Sequence, residues 1–245
     1  MYGNGADSVR RDAMSPEART QPSHVMIHVT RQAILDARGL VNAYELLYRG
    51  GLRDDADAVD EDVAGACVLT GAVLDLRIDR LTDGHTPFIN ITRSMLVNGA
   101  ATLLRPNVAV FEIGADIEVD PEVIAACRSL QSGGYRLALD HFTPGSPAGR
   151  LLPYVAFVKV DVRAMSTDTL ADIAKRLAAR RVTLVAEHVD THEAFESARD
   201  AGCGLFQGQY FRRPETRSGA GLPRRSCSSA PARSSGGPRY GVSRS

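Results

Sequence analysis

The stretch RLALDHFTPGSPAGRLLPYVAFVKVDVRAMSTDTLADIAKRLAARRVTLVAEHV, residues 136–189, decides the fold. It opens on a short apolar run, RLALDHF (136–142), and reaches a second, FVKVDV (157–162), across a link. TDTLADIAKRLAARR (167–181) then carries apolar residues at helical spacing, and TLVAEHV (183–189) is again short and apolar. Runs of that length predict strands, and the longer periodic segment a helix. Toward the C-terminus the alternation continues with the helix THEAFESARDAG (191–202) and the strand GLFQGQYF (204–211). Toward the N-terminus lie VAVFEI (108–113) and PFINIT (87–92). Between VAVFEI and RLALDHF, PEVIAACRSLQSGG starts with proline at its first helical turn and stops on Gly133-Gly134, the usual asymmetry of a helix. Residues 61–78 also show helical spacing, and before them HVMIHV (24–29), a turn at Asp36–Gly39 and AYELLYR (43–49) read as an antiparallel pair. Eight strands mostly separated by helices predict an α/β protein, a (β/α)8 TIM-like barrel with an antiparallel first strand. The body spans residues 25–214, below the usual size for such a barrel, so the links 93–107 and 143–156 are expected to be abbreviated.

Composition narrows the class. The 245 residues are 44% apolar and 24% charged, with 29 basic and 29 acidic side chains. Residues 25–214 hold 20 basic and 25 acidic residues, a mildly acidic body that disfavours broad nucleic-acid binding. No run approaches a membrane span, and residues 1–24 lack the apolar core of a secretory signal, so a cytoplasmic location is expected. Cys67, Cys127, Cys203 and Cys227 are scattered, which reads as reduced thiols rather than a disulfide frame or zinc site. Residues 1–24 are expected to form a disordered tail. Residues 215–245, rich in Arg, Ser, Gly and Pro with little to bury, are expected to form another. The abrupt change after Pro214 suggests a chain cut short or read out of frame there.

The chemical signal lies in the polar residues of the strands. Interior strands of a barrel should be apolar, yet these carry Glu45, Asn90, Glu112, Asp140, Lys159 with Asp161, Glu187 and Gln207 within or just after their apolar runs. Ends of parallel barrel strands converge on one face, where active sites sit. Several buried carboxylates are untenable unless cations neutralise them, and oxygen ligands of this kind suit hard divalent cations such as Mg2+ or Mn2+. One amide, one lysine and one glutamine among them point to metal-assisted phosphoester hydrolysis. His188 and His192 are four apart but straddle a strand end and a helix start, so a shared metal is not expected. Gly133-Gly134 is a helix stop rather than a phosphate loop, since no lysine or hydroxyl residue follows as a P-loop requires.

In order along the chain, ELLYR (45–49), FINIT, FEI, LALDHF, VKVD, LVAEHVDT and FQGQYFRRP resemble seven motifs of the EAL domain, the bacterial phosphodiesterase family acting on cyclic di-GMP. The resemblance runs from about Arg31 to Pro214. It implies a phosphodiesterase of cyclic di-GMP signalling that yields linear pGpG. It implies that Glu45, Asn90, Glu112 and Asp140 hold a first Mg2+ or Mn2+, and that Asp140, the residue after it and Glu187 share a second. It further implies that Lys159, Glu187 and Gln207 serve catalysis at the scissile phosphate and its attacking water, and that Arg49 and Asp161 contact substrate. Relatives commonly dimerise through the barrel, so a homodimer is implied too.

The departures carry information of their own. His141 stands where the family has its second aspartate, and a neutral imidazole binds Mn2+ or Zn2+ but is a poor Mg2+ ligand. Ala115 replaces a glutamate that steadies a neighbouring loop, and His188 and Asp190 replace the glycine and glutamate of the AEGVET motif. The residue at 188 resembles the branch of EAL domains fused to an HDOD domain, in which catalytic residues are often eroded. Two readings therefore stand side by side: an active phosphodiesterase, and an EAL-fold module that binds the nucleotide or a protein partner without turnover.

Overall fold

A computed structural model describes residues 27–49 and 78–219. β1 (Ile27–Leu35) and β2 (Val41–Arg49) form an antiparallel hairpin in register from His28 opposite Arg49 to Leu35 opposite Val41. Its turn is closed by Asp36, whose carboxylate accepts from the backbone N–H groups of Arg38 and Leu40. Gly39 sits there at φ 76°, a conformation glycine adopts without strain. The short α1 (Ile78–Leu81) leads into β3 (Thr86–Asn90), followed by α2 (Arg93–Val97) and β4 (Val110–Gly114). Then come α3 (Pro121–Ser132), β5 (Arg136–Asp140), β6 (Phe157–Asp161), α4 (Thr167–Ala178), β7 (Thr183–Glu187), α5 (His192–Asp200) and β8 (Leu205–Phe206).

β2 through β8 pair in parallel, and β1 closes the ring antiparallel to both β2 and β8. The result is the (β/α)8-type barrel with an antiparallel first strand that the alternation predicts. The links 93–107 and 143–156 are indeed abbreviated: the first holds the five-residue α2 and a single 3-10 turn, and the second only a 3-10 segment, Pro147–Tyr154. The longer helices start where side chains cap them. Asp120 accepts from Val123 N–H ahead of a proline at the first turn, Ser166 from Thr169 N–H and Thr191 from Ala194 N–H. The helical reading of residues 61–77 and the tails 1–24 and 220–245 lie outside the described residues.

Alternation along each strand separates an inner from an outer core, and a third, small cluster of Val29, Ala33, Leu35, Tyr44 and Leu46 lies on the β1–β2 hairpin. Residues such as Phe111, Leu139, Val158, Leu184 and Phe206 face outward into the layer packed by the helices. Ile34, Ala43, Phe88, Val110, Ala138, Val185 and Leu205, with Phe157, plug the barrel interior. Cys127 and Cys203 are free thiols within the outer core, where burial pushes them up to about 11 and about 12.

One boundary differs from the sequence reading. The segment placed in the tail begins as a strand: β9 (Glu215–Gly219) pairs antiparallel with β1 from Ile27 opposite Gly219 to Arg31 opposite Glu215. The cause is geometric. β1 is nine residues long while β8 covers only Leu35 of it, so β1 keeps an open edge that β9 fills. Arg31, 3% exposed, anchors the junction. Its guanidinium pairs with Glu215 at 2.9 Å and with Asp83 at 2.7 Å, donates to the Leu81 carbonyl, and lies 4.3 Å over the Tyr44 ring. A chain ending at Pro214 should therefore be less stable than one ending at Gly219 by about 1–3 kcal/mol, because a buried guanidinium loses a charged partner. Equal urea midpoints for the two truncations would show that β9 adds nothing.

Candidate functional site

The residue two positions after each interior plug is polar: Glu45 after Ala43, Asn90 after Phe88, Glu112 after Val110, Asp140 after Ala138, Lys159 after Phe157, Glu187 after Val185 and Gln207 after Leu205. Because a strand repeats every two residues, this second tier faces the same interior, one layer nearer the C-terminal mouth. Strand stagger sets Glu45 beside Phe88 and Glu112 beside Ala138, so the polar groups come from different heights along their strands.

Lys159 is at the centre, with no exposed surface. Its Nζ lies 2.7 Å from Glu112 Oε1 and 3.1 Å from each of Glu45 Oε2, Asp140 Oδ1 and Glu187 Oε1. Gln207 donates from Nε2 to Glu45 Oε2 at 2.6 Å. An ammonium has three N–H groups for four carboxylates, and Glu112 Oε1 and Asp140 Oδ1 accordingly sit at ion-pair distance without a directed hydrogen bond. Glu112 Oε2, Glu187 Oε2 and Gln207 Oε1 are also buried with no hydrogen-bond partner. Such oxygens are costly unless something positive meets them.

The protonation equilibria express the same imbalance. Burial pushes Glu112 well above the usual carboxylate range despite the Lys159 charge, and carries Glu187 up to about 7. Burial also acts to lower Lys159, but the surrounding carboxylates outweigh it and hold the ammonium charged. For Asp140, burial is overcome by the hydrogen bond from His141 and the Lys159 charge, leaving it at about 2. His141 Nδ1 lies 2.8 Å from Asp140 Oδ2, and that contact raises the imidazole to about 9.

Other residues singled out from the sequence take different places. Asn90 is aligned with Glu112 in the β3–β4 pairing but is exposed. Arg49 ends β2, its backbone opposite His28. Asp161 sits at the last position of β6, aligned with Glu187, and is held by Arg163 through its backbone N–H, Nε and Nη2. Arg163 was not evident from sequence, although a polar group two residues after a strand-end aspartate is the pattern of such a turn. His188 Nδ1 faces Asp161 Oδ2 at 3.4 Å, whereas His192 bonds the Tyr210 hydroxyl at 2.9 Å, so the two histidines serve separate neighbours. The glycine after Gln207 has a strict purpose. A side chain on Gly208 would collide with the Val189 backbone, whose N–H donates to Gln207 O and whose carbonyl accepts from Tyr210 N–H. That close crossing fixes Gln207 in the interior.

Asp140, His141 and Glu187 each offer a ligand atom, and these atoms lie within 4.8 Å of one another. Oxygen donors with unpartnered lone pairs and one imidazole fit a divalent cation of the first transition row, and the all-oxygen set around Lys159 fits a harder one. A cleft of about 430 Å³ opens beside them, lined by Gly114, Ala115, Asp116, His141, Thr143 and Ser146.

The barrel closed by an antiparallel first strand matches known proteins. The EAL domain model aligns with residues 67–214. This chain belongs to the EAL domain family. That match starts beyond Glu45, whose membership in the cluster rests on the geometry above. The Vibrio cholerae cyclic di-GMP phosphodiesterase CdgJ is 33% identical over 82% of this chain and 48% of its own length. The chain spans about half the length of the curated relatives it matches. An EAL domain protein from Listeria monocytogenes has the same fold, with a TM-score of 0.64 at 20% identity over 78% of this chain and 88% of that one. A Klebsiella pneumoniae BlrP1 complex with manganese and cyclic di-GMP superposes with a TM-score of 0.60 at 22% identity, covering 84% of this EAL domain chain and 59% of that one. Among the described residues no helix is long and apolar enough to cross a membrane.

The pH dependence of the metal-free protein follows from two shifts. Glu187, near 7 when folded, binds its proton more tightly than in the unfolded chain, so its contribution is present at low pH and is lost as pH rises to about 7. His141, near 9 when folded, loses its contribution as pH rises from about 6.5 through 9. In EDTA the melting temperature should therefore fall between about pH 5 and 9, and added Mn2+ should raise it more at pH 8 than at pH 6. The combined variant Glu45→Ala, Asp140→Ala should abolish the Mn2+ effect. A Mn2+ response that survives this double change would place the cation elsewhere.

Proposed function

We propose that this EAL domain is a divalent-metal-dependent phosphodiesterase that opens cyclic di-GMP to linear pGpG. The observation that carries the reading is the burial of Lys159 among Glu45, Glu112, Asp140 and Glu187 at the C-terminal mouth of the barrel. Its likeness to a curated cyclic di-GMP phosphodiesterase supports the substrate. Glu45, Asn90, Glu112 and Asp140 are the proposed ligands of one Mg2+ or Mn2+, and Asp140, His141 and Glu187 those of a second. The chemistry that a divalent cation supplies at such a site is acidification of water and neutralisation of phosphate charge.

The chain's own groups do the rest. The Lys159 ammonium is fixed in a water-poor interior, where it offsets negative charge developing on the phosphoryl oxygens at little reorganisation cost. Gln207, held by its bond to Glu45 and by the Gly208 crossing, presents its free Oε1 as an acceptor that orients a water. Glu187, 3.1 Å from Lys159 Nζ, is the third side chain proposed to serve catalysis, as a carboxylate beside the reacting phosphate. Arg49 and Asp161 are the proposed substrate contacts.

A second reading, a module that binds without turnover, is favoured by one specific contact. His141 already engages Asp140 Oδ2, one of the two oxygens of a proposed metal ligand. Incubating the protein with cyclic di-GMP and Mg2+ or Mn2+, and resolving the products by chromatography, separates the two readings: linear pGpG supports the first, and bound but intact ligand supports the second. If His141 weakens only the second cation position, His141→Asp should raise turnover in Mg2+ by about tenfold or more, equal to about 1.4 kcal/mol of barrier. The gain should shrink in Mn2+, which accepts imidazole better. An inactive His141→Asp protein that still binds cyclic di-GMP in both metals would favour the binding module.

A further inference from the structure

The cleft beside His141 has walls that the phosphodiester chemistry leaves unused. β4 ends at Gly114, which pairs with Asp140 of β5, and Ala115 N–H donates to the Asp140 carbonyl at 2.9 Å. Residues at the end of β4 and following β4 and β5 line a cleft of about 430 Å³ beside that shared point. Gly114 and Ala115 leave the floor almost bare, with nothing larger than a methyl group projecting from it. Asp116 folds back across it, so that its Oδ1 would lie 2.5 Å from a Cβ placed on Gly114. Only glycine at 114 lets the carboxylate take that place. Thr143 and Ser146 complete the lining.

We infer that this cleft is a guanine subsite and that Asp116 is its specificity-determining residue. The inference rests on the cyclic di-GMP reading and deepens it. A volume near 430 Å³ lies at the lower end of ligand pockets, suited to a purine with part of its sugar rather than a whole dinucleotide. A carboxylate only accepts hydrogen bonds, and the guanine edge offers two adjacent donors, the N1–H and the 2-amino group, that a carboxylate takes in a paired arrangement. Adenine turns an N1 lone pair toward the same oxygens and is repelled, a discrimination built on the wrong partner's penalty. A phosphate would meet the Asp116 charge and is disfavoured for the same reason. The exposed Thr143, whose hydroxyl can donate or accept, is a second polar group that the lining offers the base. His141 lines the cleft and contacts Asp140, so the cleft adjoins the carboxylate cluster at which a phosphate would be held.

Calorimetric titration in Ca2+, with ligand integrity checked by chromatography, tests the assignment. The probes are cyclic di-GMP, its inosine analogue lacking both 2-amino groups, and cyclic di-AMP. The wild-type protein should bind cyclic di-GMP at least about tenfold tighter than the inosine analogue, and cyclic di-AMP more weakly still. Asp116→Asn, at an exposed position that leaves the fold intact by melting temperature, should bring the guanine-to-inosine ratio close to one. Gly114→Val should do the same by displacing the carboxylate, with Asp116 itself unchanged. Undiminished discrimination in both variants, with cyclic di-GMP bound as in wild type, overturns the subsite while leaving the proposed substrate in place. Failure of the wild-type protein to bind any of the three overturns the cyclic di-GMP reading and the subsite with it.

Discussion

A single ammonium enclosed by four carboxylates sets the terms for the rest of this structure. Inside a barrel, charges of one sign cannot gather unless opposite charge gathers with them, and water is not available to screen the difference. Lys159 answers part of that requirement, and its three N–H groups are fewer than the oxygens around it. The apolar tier of Phe88, Val110, Val185 and their neighbours seals the barrel below, so the polar tier has only the mouth through which to meet a counter-ion or a solvent molecule. The excess of negative charge is therefore directional. It faces the one end of the barrel where a phosphate and its cations could arrive together.

Much of this was legible in the sequence because the barrel writes a simple code. Each strand is an apolar run ending in one polar residue, and the alternation of strands with helices fixes where those ends meet. Glu45, Glu112, Asp140, Lys159, Glu187 and Gln207 are assembled as that pattern requires. What escaped the reading depends on shape rather than residue type. The segment ETRSG at 215–219 has the composition of a linker and is nevertheless a strand, because the long β1 offers it an unpaired edge and the buried Arg31 offers Glu215 a partner. No local propensity encodes that vacancy on β1. Likewise Asp116 is an ordinary exposed aspartate in sequence, and only the bare Gly114 beneath it turns its carboxylate toward the cleft.

The backbone at the mouth shows a related economy. His141 and His188 each follow a cluster carboxylate, and both adopt left-handed conformations, at φ 51° and φ 55°. A side chain with a Cβ pays about 1–2 kcal/mol for that region, although histidine, like asparagine and aspartate, visits it more often than bulky residues do. At His141 the cost is offset by the side chain's own hydrogen bond to Asp140, whereas His188 Nδ1 only faces Asp161 at 3.4 Å without a hydrogen bond. The reversal of the chain at these points is what lets Asp140 and Glu187 remain in the interior while the following residue turns out to the rim. A glycine would make the same reversal without a side chain, and an aspartate would make it with a charge. Histidine makes it with an aromatic cation-binding group held against a carboxylate.

That substitution changes the balance of the site in a definite direction. With His141 protonated, the imidazolium supplies a positive charge at the rim, and it claims one Asp140 oxygen in doing so. Deprotonated, the same ring becomes a neutral nitrogen donor within 4.8 Å of Asp140 and Glu187 ligand atoms. The charge at this corner therefore follows the pH of the solution, whereas the Lys159 side is held by a fixed charge that does not titrate near neutrality. The two halves of the mouth consequently differ in kind: one holds a buried, permanent cation, and the other an exposed group whose charge follows the solution.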